Sequence, residues 1–208
     1  MSIFAVGDIH GCYDKLQALL KKIPLKEGDK LIFLGDYIDR GSCSKEVVDL
    51  ILSLQKKMGN NLVCLKGNHE KMFLDYLAGI NIELFLANGG MATIKSYSKD
   101  GNFFISEEHL LFFKHLRLYY ETEDYIFVHA GIYPGRALSE QKEDDLLWIR
   151  GEFIYSDFDI KKKVIFGHTP SRSFIPYFDK SKIGIDTGAV YGGFLTAIKL
   201  PEEEIYQV

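Results

Sequence analysis

The chain has 208 residues, 47% of them hydrophobic, and a formal net charge of −4. That length buries a proper core as one domain, 1–208, and the slight acidic balance gives no electrostatic case for nucleic acid or an anionic membrane surface. No apolar run reaches the ~18 residues of a bilayer span, the N-terminus lacks the basic region of a signal peptide, and Cys12, Cys43 and Cys64 suit neither a disulfide framework nor a thiolate zinc site, so a cytoplasmic location is expected.

The first strand, Phe4-Ala5-Val6, runs into Gly7-Asp8-Ile9-His10-Gly11. Residues 12–23 then place Leu16, Leu19, Leu20 and Ile23 at i, i+3, i+4, i+7, the apolar stripe of a helix that Pro24 stops. A second strand at 31–34 runs into Gly35-Asp36-Tyr37-Ile38-Asp39-Arg40-Gly41. The helix after it has Ser44 as candidate cap, Val47, Val48, Ile51, Leu52 and Leu54 inward, and an end near Gly59-Asn60. A third strand at 62–65 leads into Gly67-Asn68-His69-Glu70 and a helix over 70–78, broken at Gly79. This βαβαβα order predicts a parallel sheet with right-handed crossovers.

Residues 80–124 interrupt the rhythm and read as a mostly helical insertion, with a helical pattern over 107–118. A strand at 125–128 then ends in His129-Ala130-Gly131. Residues 132–162 read as irregular, with a charged run at 140–145 on a solvated loop or helix face. The strand at 164–166 ends in Gly167-His168-Thr169. Strands are expected at 183–187, 194–200 and 204–207, with Gly192-Gly193 as a hairpin turn.

Five apolar runs thus carry polar residues at their carboxyl ends, where open α/β sheets bind ligands. Together they supply Asp8, His10, Asp36, Asn68, His129 and His168. Carboxylate, imidazole and amide oxygen suit Mn²⁺, Fe²⁺ or Zn²⁺. Six protein ligands are too many for one catalytic ion with open positions, and they fit two ions if one carboxylate bridges. His69, beside Asn68, is the natural general acid, Asp39 its orienting carboxylate, and Arg40 a forked donor for a phosphate dianion. Glycines flank the ligands and permit tight turns. His109 and His115 stand outside these motifs and read as ordinary core or surface histidines.

GDIHG, GDYIDRG, GNHE, HAG and GHT, in this order across residues 7–169, resemble the phosphoprotein phosphatase family of the calcineurin-like metallophosphoesterases. The resemblance implies an α/β fold: a two-sheet sandwich flanked by helices, with a dimetal site at one edge. It assigns Asp8, His10 and bridging Asp36 to one ion, and Asp36, Asn68, His129 and His168 to the other, with Mn²⁺ ahead of Fe or Zn. It makes His69 with Asp39 the acid dyad and puts phosphate and substrate on Arg40, Asn68 and a second arginine. For that arginine the segment Leu146-Leu147-Trp148-Ile149-Arg150 resembles bacteriophage-type enzymes and selects Arg150 beside a buried Trp148, with Arg136 and Arg172 as rivals. Tyr191, in a tail resembling bacterial members, is a candidate pocket residue. Lys71-Met72-Phe73-Leu74 departs from the eukaryotic pattern, so the resemblance is to compact bacterial or phage-type members.

The function expected from this resemblance is a metal-dependent serine/threonine protein phosphatase, acting on phosphoprotein or a phosphorylated small molecule. The alternative is a symmetric bis(5'-nucleosyl)-tetraphosphatase. Those enzymes often carry a neutral residue in place of Asp39 and Asp in place of Glu70, which favours the phosphatase. A catalytically dead binding module would lack ligands or the acid, and none is missing here.

Overall fold

The computed structural model describes residues 1–158 and 161–208. The order is β1 (Ile3–Val6), α1 (Tyr13–Lys22), β2 (Lys30–Phe33), α2 (Ser44–Met58), β3 (Leu62–Cys64), α3 (Asn68–Leu77), α4 (Ile82–Phe85) and α5 (Met91–Ser96). There follow β4 (Ser98–Lys99), β5 (Asn102–Phe103), α6 (Glu107–Lys114), β6 (Tyr119–Glu121), β7 (Tyr125–Val128), α7 (Glu143–Trp148) and α8 (Gly151–Ile154). The chain ends with β8 (Lys163–Phe166), β9 (Tyr177–Phe178), β10 (Lys182–Gly184), β11 (Thr196–Leu200) and β12 (Glu204–Gln207). Among the described residues no helix is long and apolar enough to cross a membrane.

The strands form two five-stranded sheets, in the orders β12-β11-β1-β2-β3 and β6-β7-β8-β10-β9. β1, β2 and β3 are parallel, as are β7, β8 and β10. The antiparallel strands lie at the sheet margins.

Continuous apolar strands are explained by burial on both faces, because successive side chains point to opposite sides. From β1, Phe4 and Val6 enter the core under α1 and α2, while Ala5 faces the other sheet. Leu31 and Phe33 likewise face the helices, and Ile32 and Leu34 the sandwich interior. In the second sheet, Phe127 and Ile165 meet that interior. Ile126, Val128, Val164 and Phe166 pack under Leu146, Ile149 and Phe153. The result is helices, sheet, sheet, helices, with all parallel strands ending at the same edge.

Four local expectations are corrected. Ser44 is not a side-chain cap: Cys43 precedes α2, and the Ser44 hydroxyl accepts the Asp39 N–H instead, at 3.2 Å. Gly192-Gly193 is not a hairpin turn, because β10 and β11 belong to different sheets and the segment crosses between them. The helix expected over 107–118 ends at Lys114, and the chain then turns so that Arg117 bridges Leu65, just beyond β3. Trp148 is 36% exposed, since α7 presents Leu146 and Leu147 to the core instead. His109 lies in the core, bonded to Tyr97 (2.8 Å) and Asp49 (3.0 Å).

Candidate active site

The backbone bends sharply where the side chains must converge. His10, Asp36, Asp39, Arg40 and His168 all have positive φ (46°, 52°, 71°, 68° and 62°), a region that non-glycine residues rarely occupy. Such strain persists where the surroundings over-determine it, and it clusters at functional sites. Here the loops brace one another: the His10 N–H donates to Asp36 O (2.8 Å), Gly41 N–H to His10 O (3.1 Å), and Gly167 N–H to His129 O (2.8 Å). Two flanking glycines are required by close approach. A Cβ at Gly67 would lie 2.0 Å from Asp36 Oδ1, and one at Gly167 2.1 Å from Asp8 Oδ1.

Two buried groups could each hold a cation: His10, Asp36 and His69, and Asp36, His129 and His168. Asp36 belongs to both. The His10 Nδ1 faces Ile38 O at 2.8 Å and the His129 Nδ1 faces Leu34 O at 3.0 Å. Each therefore donates from Nδ1 and turns an Nε2 lone pair into the site, where that of His10 meets the Arg40 guanidinium. Burial, assisted at His10 by Arg40, drives both imidazoles down to about 3, so they are neutral at pH 7, the form that binds metal. Around His129 Nε2 lie Asn68 Oδ1 (2.9 Å), His168 Nδ1 (3.1 Å) and Asp36 Oδ1 (3.5 Å). His168 Nε2 is buried without a hydrogen-bond partner among the described residues. Acceptors thus face acceptors, an arrangement that divalent cations resolve and neutral side chains do not.

Asp8 lies beside these groups, with its carboxylate accepting the His168 N–H at 3.1 and 3.0 Å. Burial, then the neighbouring Asp186 and Asp36 carboxylates, push its pKa up. Asp36 is also raised, by burial first and then by Glu70. Bound cations would reverse the like-charge part of these shifts.

The His69 Nδ1 meets Asp39 Oδ2 at 2.6 Å, with both side chains buried. The His69 Nε2 faces Asp36 Oδ2 at 3.9 Å, which is why His69 also appears in a cation group. Burial raises Asp39 to about 8 and lowers His69, so charge is disfavoured on either partner. The pair is favoured net neutral, and in that state Nε2 carries a proton whichever of Nδ1 and Oδ2 holds the other.

Sequence reasoning missed the groups that hold this dyad. Thr93 Oγ1 donates to Asp39 Oδ1 (2.5 Å) and accepts the Asp39 N–H (2.9 Å). Thr93 sits on α5, within the segment after α3, where no motif marks it. Glu70 is fully buried and accepts the backbone N–H groups of Asp36 (2.9 Å), Tyr37 (2.8 Å) and Gly67 (2.9 Å). It ties the end of β2 to the end of β3, and its signal was present in GNHE. Glu70→Ala leaves three buried donors unpaired and is expected to cost on the order of 3–5 kcal/mol. Urea midpoints measured with and without Mn²⁺ check this, and a loss under ~1 kcal/mol would mean that water satisfies those donors.

The arginines separate by partner. Arg40 Nη1 rests against His10 Nε2, and its guanidinium lies 5.5 Å from the Tyr191 ring centroid. Arg150 Nη1 donates to His168 O (3.0 Å) and Thr169 Oγ1 (3.2 Å), placing its head beside the second cation group. Arg136 is instead paired with Asp145 at 2.8 Å over the Tyr133 ring. Trp148 packs edge-on to His168, centroids 6.0 Å apart. Asp186, unassigned from sequence, is buried, feels both Arg40 and Arg150, and is raised by burial to about 6.

The chain is similar in sequence and fold to known proteins. A 32% identical relative from Geobacillus sp. (strain WCH70), aligned over 100% of this chain and 94% of its own, is named bis(5'-nucleosyl)-tetraphosphatase PrpE, asymmetrical. Serine/threonine-protein phosphatase 1 of Salmonella typhimurium is also 32% identical, over 95% of this chain and 91% of its own. A solved structure described as a candidate diadenosine tetraphosphatase superposes with a TM-score of 0.77 at 25% identity, covering 100% of this chain and 92% of its own. A Saccharomyces cerevisiae serine/threonine phosphatase shares the fold, with a TM-score of 0.69 at 20% identity over 96% of this chain and 72% of its own. The model of the calcineurin-like phosphoesterases matches residues 1–193, and the chain belongs to that family of phosphoester hydrolases.

Proposed function

We propose that the chain is a metal-dependent phosphomonoester hydrolase acting on alkyl phosphates, foremost phosphoserine and phosphothreonine in proteins. Asp8, His10 and Asp36 would hold one divalent ion, and Asp36, Asn68, His129 and His168 the other; Mn²⁺ is the favoured ion for this mixed O/N set. When bound, the two ions supply Lewis-acid stabilisation of phosphoryl charge and lower the pKa of an attacking water. With the ion on His10 Nε2, Arg40 would be released from that nitrogen to the phosphate oxygens, its guanidinium beside the Tyr191 ring, and Arg150, held by the His168 carbonyl, would bind the same group. Asn68 would direct its amide N–H to the same oxygens. His69 Nε2 gives its proton to the leaving oxygen, and Asp39 steadies the imidazolium partner through the 2.6 Å contact.

The dyad carries this reading. An alkoxide is a strong base and leaves slowly without a proton, so a buried, Thr93-braced acid is useful chiefly for alkyl esters. A second reading rests on the relatives named tetraphosphatase: hydrolysis of a dinucleoside tetraphosphate, whose leaving group is a weakly basic phosphate. The sequence pointed to symmetric cleavage as this alternative, whereas the relative is named for the asymmetrical reaction. Steady-state kinetics of one Mn²⁺-loaded preparation on a phosphothreonine peptide and on diadenosine tetraphosphate decide between them. The first reading expects the higher kcat/KM on the peptide; the reverse order establishes the second.

A further inference from the structure

Beside the metal-ligand cluster lies a pocket of about 550 Å³ that no step above uses. Asp186, Thr169, Phe166, Gly184, Tyr155 and Arg172 are among the residues that line it. Asp186 and Thr169 connect it to the centre: Asp186 senses Asp8, and Thr169 Oγ1 is bonded to Arg150. A group held here would be continuous with a phosphoryl group at the cation sites.

The wall has a particular chemistry. Arg172 is exposed and has no ion-pair partner among the described residues, in contrast to Arg136, which Asp145 neutralises. Tyr155 is 86% exposed at the end of α8 and leaves its ring open to a ligand in the pocket. The ring is not on a loose arm. The buried Lys182 Nζ donates to Ile154 O (3.1 Å) and Ser156 O (2.5 Å), fixing the chain on both sides of Tyr155. Tyr177 is committed to Asp179 at 2.9 Å and only lines the space. The Thr169 and Ser171 hydroxyls add donors along the path from the centre to Arg172. An unpaired guanidinium, a row of hydroxyls and one anchored exposed ring match a polyphosphate chain that ends in a base. The volume also suits a ligand of nucleotide size.

We propose that this pocket binds the leaving nucleotide of a dinucleoside polyphosphate, with Arg172 on its phosphates and Tyr155 stacked on its base. The proposal rests on the second reading above. It makes substrate length, rather than the chemistry of the centre, the source of nucleotide selectivity.

The test compares Tyr155→Ala and Arg172→Ala with the parent chain, all loaded with Mn²⁺. The substrates are diadenosine tetraphosphate, p-nitrophenyl phosphate, which is too small to reach the pocket, and a phosphothreonine peptide. Each variant should raise KM for the dinucleotide about tenfold, with p-nitrophenyl phosphate turnover unchanged. An unchanged dinucleotide KM overturns the proposal. So does an equal loss on p-nitrophenyl phosphate, which would place the residues in service of the centre, or a KM rise confined to the peptide, which would make the pocket a peptide seat. Failure of the second reading is separately visible: the parent chain would turn over p-nitrophenyl phosphate while neither cleaving diadenosine tetraphosphate nor being inhibited by it.

Discussion

His69→Asn is expected to lower kcat on a phosphothreonine peptide by about 10²–10⁴, the usual range for general acid catalysis. The same variant should lose far less on p-nitrophenyl phosphate and on diadenosine tetraphosphate, whose leaving groups are weak bases. The contrast follows from where the proton is needed. His69 Nε2 carries it in the net-neutral dyad, and only an alkoxide leaving group depends on receiving it. The substitution also separates the two roles that the geometry allows His69. It lies 3.9 Å from Asp36 through Nε2, within reach of a shared cation, and 2.6 Å from Asp39 through Nδ1. An acid can be removed with both ions retained, whereas a ligand cannot. Elemental analysis of the variant therefore accompanies the kinetics. Equal losses on all three substrates, or loss of one ion, would assign His69 to the metal rather than to the leaving group.

Chelation is expected to abolish activity and Mn²⁺ to restore it, with a second readout in stability. Metal-free, the centre confines Asp8, Asp36 and Asp186 together; burial raises all three carboxyls, and neighbouring carboxylates raise Asp8 and Asp36 further. A cation that binds only the folded state stabilises it by about 2.7 kcal/mol at a free concentration 100 times Kd. Thermal unfolding should therefore shift upward with added Mn²⁺. The sign of the pH dependence follows from the raised carboxyls. Their protons must leave before the cation binds, so affinity falls as pH falls, and binding at neutral pH releases protons. Calorimetric titration in two buffers of different ionisation enthalpy measures that release. Full activity in a sample shown to be metal-free would falsify the two-ion scheme, and an unchanged unfolding temperature would remove the cation from the folded core.

The residues of the centre were legible because parallel strands impose a simple grammar. A short apolar run buried on both faces, followed at once by a glycine and a polar residue, marks a carboxyl end, and five such ends at one edge must converge. That rule selects Asp8, His10, Asp36, Asn68, His129 and His168 as candidate ligands, and the structure brings their side chains to one place. Thr93 was invisible because it acts from a helix with no motif of its own, through contacts 54 positions apart in the chain. Glu70 was visible as a letter of GNHE but not as the acceptor of three N–H groups, because those donors lie on two different loops.

The sequence by itself determined the strand ends, the polar residues that follow them and the parallel order of β1 to β3, all of which depend on local patterning and on the right-handed crossover. Only the tertiary structure decided the rest. It sent β10 and β11 to different sheets, since a glycine pair marks a turn without saying which edge the next strand joins. It exposed Trp148, because a helix of six residues buries one side and α7 gives that side to Leu146 and Leu147. It paired Arg136 with Asp145 and left Arg150 beside His168, a choice among three arginines set by which carboxylates and carbonyls the fold brings within reach. Side-chain partnership is a property of distance in space, and chain spacing fixes that distance only inside single helices and strands.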